Sequence, residues 1–414
     1  KMKKVEISIY CASDRFNYGD LLFPLILHKF ISLKISGVNI DNYAMEDSDL
    51  SSLGGMPTYG LKRLISDGRK KNNHYVIVAG GEGLGATWFK LYRYILPQKF
   101  SFLCRIINKL FSQNILDSVV RKLYSSRLVS PFVLSAEEFG GNTKIIFNTV
   151  GGSSLEAHSN SFRKRIASIV EESLYVSVRD YETETILKEN GVRQVHLAPD
   201  SAVVMSDLFP SHELNQMVCQ EVEKIFSDFS KGYWCFQVSE DHARNNLEVI
   251  AAQIDKVHQQ FNIGVVLLPI GRASGHEDQI PLRKISERLN SPWRLPESIG
   301  VFDIMALIAG SRLYAGTSLH GVITSTSFAV PRIGLTHKVP KLAAHLKCWD
   351  ITEFQHCVEF EELAMGADSA MRVSEEILND KCNELIGKAN FVLNQLVKEV
   401  NNDASIELVN HDGQ

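Results

Sequence analysis

What this chain lacks narrows its class. No apolar run approaches the roughly 20 residues that span a bilayer, so no membrane span is expected. Cysteine is sparse and unpatterned: Cys11, Cys104, Cys219, Cys235, Cys348, Cys357 and Cys382 are odd in number and never fall at Cys-x-x-Cys spacing. Such usage argues against a disulfide framework or a zinc ribbon and fits reduced thiols in the cytosol. Neither sign of charge dominates, and a formal net charge of −4 gives no broad field for nucleic acid. The phosphate loop Gly-x-x-x-x-Gly-Lys-Ser/Thr is absent, and no histidines and carboxylates share metal-ligand spacing, so neither a metal nor a cofactor is expected. The first ten residues carry lysines with no long apolar stretch behind them. They read as the lead into a first strand and not as a secretion signal, with Lys1 ahead of Met2 looking like a cloning remnant.

What the chain holds, over 414 residues, is enough sequence for two cores. Apolar strand patterns at 5–12, 74–85, 144–152, 174–180 and 195–201 alternate with helical patterns such as 21–35 and 181–190. The second half repeats the alternation, with strands at 233–238, 263–270 and 331–335 and helices at 243–261, 278–289, 302–309 and 338–346. This predicts the α/β class: two doubly wound parallel-sheet domains facing a cleft. The expected divisions are 1–207 and 221–370, joined by a polar linker at 208–220. An amphipathic helix and tail at 371–414 should pack back across the domains.

The segment 313–323 (LYAGTSLHGVI) is the most informative, because an apolar strand runs through small polar residues into a helical pattern. At such a junction the first N–H groups of the helix face outward and its dipole favours an anion. Thr317 and Ser318 add hydroxyls, and His320 adds a group that binds an anion when protonated or passes a proton. An ordinary capped helix with a core histidine fits the same spacing. The predicted strands at 74–85 and 144–152 also end in glycines, Gly80-Gly81-x-Gly83 and Gly151-Gly152, where backbone can approach a ligand or simply turn.

One stretch departs from the alternation. Residues 86–134 carry Lys90, Arg93, Lys99, Arg105, Lys109, Arg121, Lys122 and Arg127 against the single acid Asp117, with Trp88, Phe89, Tyr92, Tyr94, Phe100 and Phe102 interleaved. The composition fits a helical insert lying on an anionic membrane surface. A core-packed insert with a solvated charged face, or a dimer contact, fits it as well.

In order, Asn17-Tyr18-Gly19-Asp20, Ala79-Gly80-Gly81, Ser177-Val178-Arg179-Asp180, Asp200, Gly316-Thr317-Ser318-Leu319-His320-Gly321 and Lys338 resemble the polysaccharide pyruvyltransferase family. The resemblance covers most of the chain outside the basic insert and the tail. It implies a glycosyltransferase-B-like pair of Rossmann-like domains and transfer of pyruvate from phosphoenolpyruvate to a sugar as a cyclic ketal. The sugar would belong to a bacterial surface polysaccharide or its lipid-linked precursor, and the enzyme would work without a metal in the cytoplasm, peripheral to the inner face of the membrane.

Ketal formation needs a proton for the methylene carbon, hydroxyl attack on the adjacent carbon and loss of phosphate, hence cations, an acid and a base. His320 is the expected acid, with Asp20 or Asp14 as base. The donor would meet Thr317, Ser318, Leu319 and Gly321 of the turn, with Arg179, Arg272, His276, His337 and Lys338 supplying charge. Asn17, Gly81 and Glu82 would face the acceptor, since the N-terminal domain is the acceptor side in this architecture. Many family members carry arginine where this chain has Ser318, so another cation must compensate or the donor differs. Two further readings stay open: a nucleotide-sugar glycosyltransferase of the same architecture, and a non-catalytic glycan-binding protein.

Overall fold

The computed structural model describes residues 5–96, 106–107, 110–124, 126–272 and 277–404. Two sheets organise them. The first holds β1 (Glu6–Tyr10), β2 (Asn39–Ala44), β3 (Ser48–Asp49), β4 (Pro57–Gly60), β5 (His74–Ala79), β6 (Thr143–Val150), β7 (Tyr175–Val178) and β8 (His196–Leu197), in the order β3-β4-β2-β1-β5-β6-β7-β8. All its pairings are parallel except β3 with β4. The second holds β9 (Tyr233–Gln237), β10 (Gly264–Leu267), β11 (Trp293–Arg294), β12 (Tyr314–Gly316) and β13 (Arg332–Gly334), all parallel, in the order β11-β10-β9-β12-β13.

The apolar runs that read as buried strands are buried on both faces, as parallel sheets require. The strands β2 and β4, toward one side of the first sheet, carry no such run: Asn39–Ala44 is only half-buried along its first three residues, so the sequence offers no strand signal there. Each sheet reverses its winding once, between β1 and β5 and between β9 and β12. Those reversals open crevices at the carboxyl ends of the strands, where open α/β sheets hold ligands.

The two sheets share one apolar core. A continuous cluster runs from Ile7 and Ile9 through Leu22, Phe23 and Ile26 of the Tyr18–Lys34 helix to Met305, Leu319 and Val322 of the second domain and Leu385 and Leu393 of the C-terminal helix. The helix Glu375–Ala404 reaches back to the first sheet, where Tyr175 Oη donates to the Val392 carbonyl at 3.4 Å and Tyr75 Oη to Asp403 at 2.7 Å. Further bonds tie the domains at the cleft. Tyr18 N donates to the Ile270 carbonyl at 3.2 Å, Arg272 N to Phe16 O at 3.1 Å, and the Trp349 indole to Arg179 O at 2.8 Å.

The basic insert packs on the outer face of the first sheet. Trp88, Phe89, Leu116, Val120 and Tyr124 join Tyr10, Val76 and Val78 in a second core cluster. The aromatics Trp88 and Phe89, expected at a membrane boundary, are therefore core residues. The six described cysteines are free, and among the described residues no helix is long and apolar enough to cross a membrane.

Candidate active site

Both crevices open into one cleft, a cavity of about 430 Å³, within the range of small-molecule sites. Its lining comes from the four strand ends at the reversal points: Cys11, Ala12 and Arg15 after β1, Gly80 to Gly83 after β5, Gln237 and Ser239 after β9, and Thr317 to His320 after β12. A separate hollow of about 360 Å³ between Leu25, His28 and Phe209 is apolar and distant from these ends.

His320 is the residue on which both domains converge. It stands in the first turn of the helix Leu319–Ser327, capped by Ser318, whose Oγ accepts from Gly321 N at 3.3 Å. Phe23 meets its ring edge-on with centroids 5.5 Å apart. Gly19 fills the space behind it, because a Cβ there would lie 1.9 Å from His320 Nδ1. Gly80, at φ 55°, is needed twice over: its backbone is left-handed, and a Cβ would strike the Phe23 ring at 2.1 Å.

His320 Nε2 is buried without a hydrogen-bond partner, 3.8 Å from Asp200 Oδ2. Burial first, and then the Arg179 charge, push the ring down to about 3, so it is neutral at neutral pH and the approach to Asp200 is no ion pair. A polar nitrogen left unmet in a buried site invites a ligand atom.

Around it the charges divide. Arg179, buried, donates to Asp200 Oδ2 at 3.1 Å and to Glu82 Oε2 at 3.3 Å. Burial opposes its charge, but the two carboxylates outweigh that and hold it firmly protonated. Burial likewise works to raise Glu82, yet Arg179 and the donors Ser153 and Ser154 leave it below its usual value. Gly151 makes this network possible, since a Cβ would sit 2.5 Å from Glu82 Oε2. Asp20 lines the cleft and accepts from Asn17 Nδ2 at 2.7 Å.

On the facing wall Gln237 Oε1 accepts from Ser318 N at 2.9 Å and Thr317 Oγ1 at 3.2 Å, while its amide donates to Asp278 at 2.9 Å. Asp278 Oδ2 also accepts from Ile270 N and Gly271 N; burial raises its carboxyl to about 7 against those donors. With Ser318 N and Gly321 N engaged, the first-turn N–H groups of Leu319 and His320 are the ones placed to meet an anion. Lys341, near the start of the helix Pro340–Trp349, projects into the same space. Protein crowds it and pulls its pKa down through burial and Arg179, yet its surface stays open to the cleft, so water preserves its charge.

A family model for polysaccharide pyruvyl transferases matches residues 17–339, from the first-strand loop to the helix after β13. The chain belongs to that family. No curated protein matches it by sequence. Its fold is shared with the UDP-GlcNAc 2-epimerase from Methanocaldococcus jannaschii (11% identity, TM-score 0.56, covering 95% of this chain and 99% of that one). The enzyme from Neisseria meningitidis, solved with UDP-GlcNAc, is similar at 10% identity and TM-score 0.52, covering 95% and 100%. Such likeness establishes the two-domain GT-B architecture of this pyruvyl transferase family member.

The cleft brings together Asn17, Asp20, Gly81, Glu82, Arg179, Thr317, Ser318, Leu319 and His320, all singled out in the sequence, with Gly321 capping the turn. Others lie elsewhere. Asp14 turns away, its carboxylate against Arg15 Nε at 3.0 Å and accepting from Glu46 N, so it is not placed as a base. Arg272 stacks on Phe16 and donates to the Ile299 carbonyl outside the cleft. His337 pairs with Glu359 in solvent, and Lys338 is exposed beside it, outside the lining. His276 lies outside the described residues. Arg179 pairs with Asp200 and Glu82 and not with Asp180, which caps the following helix through Thr183 N. Residues passed over in the sequence now line the site: Arg15, Gln237, Ser239, His242, Asp278 and Lys341; Lys90, counted there among the basic residues of the insert, lines it too.

Proposed function

We propose that this family member transfers pyruvate from phosphoenolpyruvate to a sugar as a cyclic ketal, acting on a surface polysaccharide or its lipid-linked precursor at the inner face of the cytoplasmic membrane. The observation that carries the reading is the neutral, unpartnered His320 nitrogen at a helix start, with Arg179 and Lys341 nearby and Asp20 lining the same cleft. A donor bearing both phosphate and carboxylate matches one neutral donor-rich wall and a cation open to the cleft. Lys341 takes the part of the arginine replaced by Ser318.

Binding of that donor adds negative charge next to His320, offsets Arg179 and Lys341, and draws a proton onto the ring. The imidazolium then delivers the proton to the methylene carbon as one sugar hydroxyl attacks the neighbouring carbon and Asp20 takes the hydroxyl proton. Phosphate leaves onto the Leu319–His320 N–H groups, and the second hydroxyl closes the ketal, its proton departing with phosphate. No metal enters this scheme. Incubation with phosphoenolpyruvate and a panel of glycosides in the presence of a chelator tests it: the reading requires released phosphate and an acid-labile pyruvyl ketal by mass spectrometry. Transfer from a UDP-sugar with no phosphoenolpyruvate consumption would support the glycosyltransferase alternative, whose architecture is that of UDP-GlcNAc-binding neighbours.

A further inference from the structure

The helix Gln113–Leu123 has two apolar sides. Leu116 and Val120 face the core, whereas Ile115, Val119 and Leu123, spaced four residues apart, face solvent at 53%, 61% and 56% exposure. Leu110 and Phe111, just before it, are exposed to 71% and 51%, so the outward residues form one apolar patch, and such contiguous patches mark interaction surfaces. Exposed Lys122 and Arg127 and half-buried Arg121 flank the patch. Asp117, the single acid of residues 86–134, is drawn inward, where it accepts from Phe89 N at 2.7 Å. Among the described residues, no acid from 110 to 123 lies on the outward face.

We propose that this face docks on an anionic lipid bilayer. Apolar side chains lodge at the acyl boundary while the flanking cations meet headgroup phosphates, the arrangement of a helix lying in the interface. The charge asymmetry selects the occupant: a second copy of this face would oppose cation to cation. The docked helix packs on Trp88–Ile95, whose Lys90 and Leu91 line the cleft, so docking brings the cleft mouth to the membrane surface. The inference stands apart from the donor chemistry, because lipid binding and phosphoenolpyruvate binding are read separately.

Flotation of the full chain with phosphatidylcholine vesicles, with and without phosphatidylglycerol, tests it alongside light scattering. Wild type is expected to float with the anionic vesicles only, and Ile115→Glu/Val119→Glu to lose about tenfold or more of that partition at unchanged melting temperature. Lys122→Glu/Arg127→Glu, a variant with the apolar patch intact, should weaken flotation as added salt does. Wild type that stays unbound, a double variant that floats equally, or a wild-type dimer that the double variant makes monomeric would each overturn the proposal.

Discussion

The two walls of the cleft solve their electrostatics differently. On the N-terminal wall charge is neutralised internally: Arg179 is held between Asp200 and Glu82, Arg15 lies against Asp14, and Glu82 is bonded by two serines. On the C-terminal wall the groups are donors or neutral: Thr317 and Ser318 organised by Gln237, His320 stripped of its proton, and Lys341 open to the cleft. A buried pair already satisfied holds structure more than it attracts ligand, whereas unmet donors in a buried site bind. Under the proposed reading, the contrast puts the anionic donor on the C-terminal wall and the acceptor, with Asp20 as its base, on the N-terminal one.

The comparison is broken most severely at His320. His320→Asn should cost about 10²- to 10⁴-fold in kcat with the fold retained, as loss of positioned proton transfer commonly does; near-normal turnover removes the residue from the reaction. Arg179→Gln should act on stability as well, because it strands two carboxylates, one of them fully buried. A loss of about 3–5 kcal/mol in urea unfolding is expected, and an unchanged midpoint would contradict the clamped wall. Lys341→Met sharpens the contrast from the other side: KM for phosphoenolpyruvate should rise about tenfold or more with stability unchanged, since a charged hydrogen bond at an open site is worth about 1.5–3 kcal/mol.

Acid sensitivity checks the buried rings separately from turnover. Burial depresses His320 to about 3 and His74 and His345 to about 4, each below the unfolded value of 6.5. The unfolded state then binds more protons, so stability is full above pH 6.5 and falls as pH drops toward 4. By pH 5 each ring contributes a loss on the order of 2 kcal/mol. A melting temperature flat from pH 7 to 5 would contradict it, and His320→Asn should flatten the curve by about a third.

How far the sequence reached follows the same physics. Strands buried on both faces, such as β5 and β9, announce themselves as apolar runs, and glycines at strand ends mark the reversal points that form the cleft. The more polar strands β2 and β4 carry no such signal. Site residues inside a motif, His320, Asp20 and Thr317, were legible because the turn that positions them is local. Lys341 was not: Lys338 precedes the helix that Pro340 starts and stays in solvent, while three residues on the backbone has turned toward the cleft. Arg272 and Asp14 sit at strand ends, as cleft residues do, but their partners come from distant segments, Phe16 and Glu46, which no local pattern reveals. In the insert, composition alone could not say which residues face out: Trp88 and Phe89 are buried in the core, while Leu110, Phe111, Ile115, Val119 and Leu123 are exposed.

Titration calorimetry of phosphoenolpyruvate in buffers of different ionisation enthalpy, with a chelator present, addresses the central claim most directly. The account predicts binding coupled to uptake of about one proton near pH 7 in wild type, as His320 charges beside the donor, and no uptake in His320→Asn. Binding of a UDP-sugar with no affinity for phosphoenolpyruvate, or phosphoenolpyruvate binding with equal proton uptake in both proteins, would contradict it.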